Sequence, residues 1–139
     1  MLYRKMVNNL REPRIKVRIS SRMPGSTAYT TITGWAMIDT GTARTCIFEG
    51  IAKACRLEEG LPEQVYLANG SFHYSPTFYG SIEIPGIPSS RKIMRLGGMP
   101  ERLGYLKGQS LICLLGTDFL QHCRFVYEGG SFSLDMRGH

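Results

Sequence analysis

Trp35-Ala36-Met37-Ile38-Asp39-Thr40-Gly41-Thr42 is the stretch on which the reading of this chain turns. An apolar run delivers one carboxylate, and a hydroxyl and a glycine follow at once. An aspartate at the end of an apolar strand is costly to bury alone, so it has to be paired, hydrogen-bonded or protonated. The plain alternative is that Asp-Thr-Gly is only a turn, and three letters by themselves do not decide. Their surroundings do more. Residues 29–38 are rich in Thr, Ile, Tyr and Trp, a strand composition. Within residues 48–57, Ile51, Ala54, Cys55 and Leu57 recur at helical spacing, closed by Gly60 and Pro62, which predicts one short helix.

Working outward from there, Arg14-Ile15-Lys16-Val17-Arg18-Ile19 alternates with period two, a first strand with Ile15, Val17 and Ile19 inward. Met23-Pro24-Gly25-Ser26 reads as a turn. Downstream, Asn69-Gly70 between the β-prone runs 65–68 and 71–74 predicts a hairpin with a type I′ turn. Residues 77–84 form a further strand ended by Pro85-Gly86, and 88–109, rich in Gly, Arg and Lys, read as a long irregular loop. Residues 111–115 are a continuous apolar run, so a buried strand. Gly116-Thr117-Asp118 then turns into a short helix with Thr117 or Asp118 as its cap. Residues 125–134 close the chain with a hairpin around Glu128-Gly129-Gly130. The sum is mostly β with two short helices, and shows no internal repeat.

A chain of 139 residues predicts one domain. With 42% apolar and 20% charged residues it has an ordinary globular composition. Its longest strongly apolar stretch, 111–115, falls far short of the roughly 20 residues of a membrane helix, so no membrane partner is expected. The net charge of +6 is local. Residues 1–22 hold seven basic groups and one acid, while the rest balances ten against ten. This leaves a basic arm over residues 1–13 and a neutral domain over 14–139. The arm is the one hint of a nucleic-acid partner; the plainer reading is a solubilising segment and the outer face of a strand. No apolar signal-peptide core lies at the N-terminus. The four cysteines, Cys46, Cys55, Cys113 and Cys123, form no CxxC pair, and read as reduced thiols of a cytoplasmic protein. A zinc site from Cys55, Cys123, His122 and His73 lacks ligand spacing, so neither metal nor cofactor is expected. Serine and cysteine catalysis lack a supporting motif. Trp35 reads as core, His73 as an exposed hairpin residue and His122 as a helix-end residue.

Three pieces together resemble one family, the retropepsin-like aspartic proteases. They are Ile38-Asp39-Thr40-Gly41-Thr42, the Asn69-Gly70 hairpin in the place of the family's flap, and Leu114-Leu115-Gly116-Thr117-Asp118-Phe119-Leu120, which resembles the family's second signature. The resemblance spans roughly residues 14–136. It implies a closed, antiparallel β-barrel-like acid protease fold, a homodimer and a peptide or protein substrate. It casts Asp39 as the catalytic carboxylate, with Thr40, Gly41 and Thr42 as its support. Ala68, Asn69, Gly70 and Ser71 become the flap over the substrate, and Leu115, Gly116 and Asp118 the second signature. Counting points to a dimer by a separate route. The reaction needs two carboxylates sharing a proton across about 3 Å, and of the three aspartates (Asp39, Asp118, Asp135) only Asp39 stands in the motif. Its partner would be Asp39 of a second copy.

The sequence also departs from the family. Thr42 stands where Ala or Ser is usual. Ala43 and Thr117 occupy the places where viral members often carry an acid and an arginine, and Arg44 with Asp118 is the candidate replacement. The 88–109 loop is expected to shape the substrate pockets or to cover the site. Two other functions compete: a non-catalytic dimeric peptide-binding or scaffold module on the same fold, and a nucleic-acid-associated protein working through its basic arm.

Overall fold

The computed structural model describes residues 2–6, 12–21, 30–100 and 111–136. In chain order the elements are β1 (Leu2–Met6), β2 (Arg14–Ser21), β3 (Thr31–Ile38), β4 (Cys46–Phe48), α1 (Glu49–Ala54), β5 (Glu58–Glu59), β6 (Glu63–Tyr66), β7 (Phe72–Ser75), β8 (Thr77–Ile84), β9 (Ile87–Met99), β10 (Leu111–Leu115), α2 (Thr117–Leu120), β11 (Cys123–Glu128) and β12 (Ser131–Met136).

Alternation in β2 sets the interior. Ile15, Val17 and Ile19 are fully buried, while Lys16 and Arg18 between them are exposed. The main sheet runs β2-β3-β10-β4-β9-β8-β5, and β2 pairs again with β8. That pairing closes six strands into a barrel. β8 serves two neighbours on one edge: Phe78 and Tyr79 face β5, and Gly80 to Glu83 face β2. The Arg18–Glu83 ion pair, 2.9 Å, bridges the closing seam on the outside. Inside, Ile38, Ile47, Ile82, Leu96, Cys113 and Leu115 meet the β2 stripe. A smaller apolar group, Phe48, Met99 and Leu111, lies apart and takes in Trp35, Met37 and Leu114. Lys16 Nζ sits 5.4 Å from the Trp35 ring centre, so this tryptophan is half-buried beside a cation rather than in the main core.

The barrel is closed and mostly antiparallel, as expected, with two parallel pairings. β10 runs parallel to β3 (Leu115↔Ile38) and antiparallel to β4 (Cys113↔Ile47), and β4 runs parallel to β9. The cause is topological: β10 enters between the two strands that flank the Asp39 loop.

Three further expectations change. Residues 1–13 were to be an arm, yet Leu2–Met6 pairs along β12 (Leu2↔Asp135 to Met6↔Ser131) and completes a second sheet, β1-β12-β11. β12 needs such a neighbour, because a bare edge leaves its backbone donors and acceptors unpaired. Phe132, Leu134 and Met136 of β12 alternate inward and join the main core. The long loop 88–109 is largely strand: β9 reaches Met99, and 101–110 lie outside the described residues, as does the 23–26 turn. Its polar, glycine-rich composition hid a strand with one wet side. Gly98 is there because β9 passes close to Pro76, where an added Cβ would sit 2.8 Å from the ring. Finally, the 65–74 hairpin forms, but not through a type I′ turn. Gly70 N–H donates to Leu67 O (3.0 Å), Leu67 N–H to Ser71 O (2.8 Å), and Gly70 has φ +86° while Asn69 stays at negative φ. That is a three-residue loop with one left-handed glycine.

Among the described residues no helix is long and apolar enough to cross a membrane. All four cysteines are free. Burial raises every one of these thiols above the ordinary range, Cys123 to about 11. The charged thiolate is the reactive form and burial disfavours it. Alkylation at pH 8 is therefore expected to leave Cys113 unmodified in the native protein and to label all four in denaturant. Native-state labelling of Cys113 at the denatured rate, read by mass spectrometry, would contradict this packing.

Candidate active site

Asp39 caps the parallel ladder between β3 and β10. Its N–H donates to Leu115 O (2.9 Å), and Ile38 N–H before it donates to Pro13 O (2.9 Å). The half-buried Asp39 carboxylate accepts the Gly41 N–H at Oδ1, 2.9 Å. Glycine suits position 41 because a Cβ would crowd that same oxygen at 3.2 Å. Thr40 and Gly41 are exposed and Thr42 is half-buried. One carboxylate is thus held at the end of the barrel, oriented by a backbone donor and open to its surroundings.

The returning half of the loop is tied down by the second signature. Thr117 N–H donates to Thr42 O (2.9 Å) and Asp118 N–H to Ala43 O (3.2 Å). Gly116 lets these backbones touch, since a Cβ there would meet Thr42 O and Arg44 C at 2.8 Å. At the centre lies Thr45, fully buried. Its hydroxyl donates to Asp118 Oδ1 (2.6 Å) and accepts the Gly116 N–H (3.0 Å). Its own N–H is shared between both Asp118 oxygens, 3.0 Å each. Phe119 N–H adds a further donor at 2.8 Å. The half-buried Asp118 carboxylate is engaged by these bonds, most of them at Oδ1, and ties the loop down.

This geometry corrects two expectations. The residue capping α2 is Gly116, in extended conformation and without a side-chain cap, while Asp118 turns away toward Thr45. Arg44 does not pair with Asp118. Its guanidinium meets Glu63 at the start of β6, with Nε–Oε2 at 2.5 Å and Nη2–Oε1 at 2.7 Å.

The expected flap is a two-stranded ribbon, β6 with β7, separate from both larger sheets. Ala68, Asn69, Gly70 and Ser71 form its exposed tip. Asn69 Oδ1 accepts the Ser71 N–H (3.0 Å) and its hydroxyl (2.5 Å), and an added Cβ on Gly70 would meet nothing within 4 Å. Tyr66, Phe72 and Tyr74 form an exposed aromatic ladder, with ring centres 6.0 and 5.8 Å apart. His73 is exposed on the same ribbon. The chain therefore brings Asp39–Thr42 together with Leu115, Gly116 and Asp118. The ribbon tip projects from a base joined to them.

Thr45, Glu63 and Arg95 escaped the sequence reading. Arg95 Nη2 donates to Leu61 O (2.9 Å) at the ribbon's base. No motif marks any of the three, because their partners are remote in sequence. At Cys46, next to this network, burial first, and then the Asp118 charge, push the thiol up. Among the described residues no group of three His, Cys, Asp or Glu gathers as a metal site.

No protein-family model and no curated protein matches the sequence. Among solved structures, the chain is similar to the crystal structure of a retropepsin-like aspartic protease from Rickettsia conorii. The TM-score is 0.63 at 16% identity, over 97% of this chain and 90% of that one. The chain has the retropepsin-like fold.

Thr45→Val keeps the volume but removes one hydroxyl that serves the buried Gly116 N–H and the half-buried Asp118 carboxylate. It is expected to cost about 1–3 kcal/mol in urea unfolding, the usual cost of leaving one buried polar group unpaired, because the Gly116 N–H loses its acceptor while Asp118 keeps its backbone donors. Thr45→Ser should recover most of that. Equal stability of the Val variant and the parent would remove Thr45 from the centre of the loop.

Proposed function

We propose that this chain is an aspartic endopeptidase that works as a homodimer, with one Asp39 from each copy forming the catalytic pair. The observation that supports it is the unequal fate of the aspartates. Asp118 is tied within its own chain by three bonds at Oδ1 and one at Oδ2, from Thr45 and Phe119. Asp135 lies within β12, opposite Leu2 and Arg124. Asp39 alone is presented on a fixed loop with one oxygen engaged by Gly41. One chain thus supplies half of a two-carboxylate site, and a two-fold axis supplies the rest.

The chemistry follows from that pair. An ionised Asp39 takes a proton from a water held between the carboxylates, and the water oxygen adds to the scissile carbonyl carbon. The protonated Asp39 of the other copy donates to the carbonyl oxygen. The tetrahedral intermediate then collapses, the C–N bond breaks, and the leaving nitrogen receives a proton from the pair. Thr40, exposed beside Asp39, holds the two loops together across the axis. The 68–71 tip closes over the substrate, excludes water and offers backbone hydrogen bonds. An extended peptide binds as an added strand, its side chains alternating between pockets.

The test is cleavage of an unbiased peptide mixture between pH 4 and 7, read by mass spectrometry at several protein concentrations. Below the dimer dissociation constant the rate should rise with the square of concentration. Asp39→Asn should lower it about 10²–10⁴-fold, the usual worth of an acid–base group. No cleavage by a sample shown to be dimeric would leave a peptide-binding module on this fold; cleavage surviving in the variant would exclude Asp39.

A further inference from the structure

Arg44 lies on the Asp39 loop, yet its side chain reaches the ribbon. Its backbone is fixed on the loop side: Arg44 O accepts the Thr42 hydroxyl (3.3 Å) and the Cys46 thiol (3.3 Å). Its stem packs on Gly97, where an added Cβ would meet Arg44 Cδ at 3.4 Å. Nη1 donates to Arg95 O (3.3 Å), and the remaining fork grips both oxygens of Glu63. Glu63 is the first residue of β6 and pairs with Ser75 of β7, so it sits where the ribbon leaves the barrel. The neighbouring root is clamped as well. Leu61 O accepts Thr77 Oγ1 (2.7 Å) and Arg95 Nη2 (2.9 Å), while Gly60 N–H donates to Thr77 O (2.8 Å). Beyond Glu63 the ribbon is two exposed strands, so its tilt is decided at its base.

We propose that the Arg44–Glu63 ion pair is a latch that sets the position of the 63–75 ribbon relative to Asp39, making both positioning residues for closure over substrate. The inference rests on the reading of that ribbon as the flap of a peptide-cleaving site. A guanidinium suits the task because its planar fork holds a carboxylate in one orientation, which a lysine cannot do. One end of the latch sits in the part of the molecule held by Thr45 and Asp118, the other on the element that moves. Each side chain is about a third exposed, with Arg44 at 34% and Glu63 at 30%. The pair is therefore screened and breakable, as a latch on a moving element has to be.

The experiment is residue-resolved amide hydrogen exchange on the full-length protein without substrate, so that it reads the latch whether or not the chain cleaves peptides. In Glu63→Gln the amides of Leu67 and Gly70 should exchange about two- to fivefold faster, the range for a partly exposed pair. Those of Asp39 and Thr117 should not change. The double variant Glu63→Gln/Arg44→Lys should show no further rise, because either change alone opens the latch. Unchanged ribbon exchange, a matching rise at Asp39 and Thr117, or additive effects would each overturn the proposal. A second arm uses a cleaved peptide from the mixture above. Glu63→Gln should raise KM about two- to fivefold with kcat nearly constant. Asp39→Asn should lower turnover about 10²–10⁴-fold while leaving ribbon exchange as in the parent. Loss of kcat at constant KM in Glu63→Gln would overturn the positioning role, and absence of any cleavage by the parent protein would overturn the protease reading alone.

Discussion

The contact between the buried Thr45 and the half-buried Asp118 carboxylate is the constraint on which the candidate site depends. A carboxylate taken from water is tolerated only when donors replace its hydration. Here Thr45 supplies a hydroxyl and an amide, and Phe119 a second amide. The same hydroxyl accepts the Gly116 N–H. Four backbone or side-chain groups from the Asp39 loop and the second signature therefore share one polar knot. It converts a flexible Asp-Thr-Gly turn into a loop with a single geometry.

The barrel is built around that knot. β10 lies between β3 and β4, parallel to the first and antiparallel to the second. The Asp39 loop, which joins β3 to β4, must then pass over the end of β10, where Gly116 leaves room for it. A loop clamped on both sides by strands and below by α2 has little freedom to shift its carboxylate. Precise placement matters for any reaction between two carboxylates, since displacement of a reacting group by about 1 Å can cost a hundredfold in rate.

Much of this was legible along the chain, and the limits have physical causes. The β2 strand, the apolar β10 run and the two short helices follow from local periodicity, which sequence carries directly. The hairpin was legible from Asn69-Gly70, but its turn type was not: Asn69 spends its side chain on Ser71, which favours a three-residue loop. β9 was missed because one of its faces is wet and its glycines are there for close packing, a property of the neighbours. At the site, Asp39 and its motif stood out, while Asp118 was known without its partner. Arg44 was singled out but matched to the wrong acid. Charge alone cannot choose between Asp118 and Glu63; hydrogen bonding from Thr45, 73 residues away from Asp118 in sequence, makes the choice.

That choice has a consequence for how the molecule divides its labour. Had Arg44 met Asp118, its charge would have been absorbed within the rigid loop. With Asp118 held by Thr45, Arg44 faces outward and takes Glu63. Neutral donors hold the Asp39 loop, and a partly exposed ion pair, weak and screened, holds the base of the ribbon. The aromatic ladder of Tyr66, Phe72 and Tyr74 stands on that second, looser element. The ribbon that carries this apolar surface meets the Asp39 loop through a contact whose other end is five residues from Asp39 in the chain, so one side chain, Arg44, touches both.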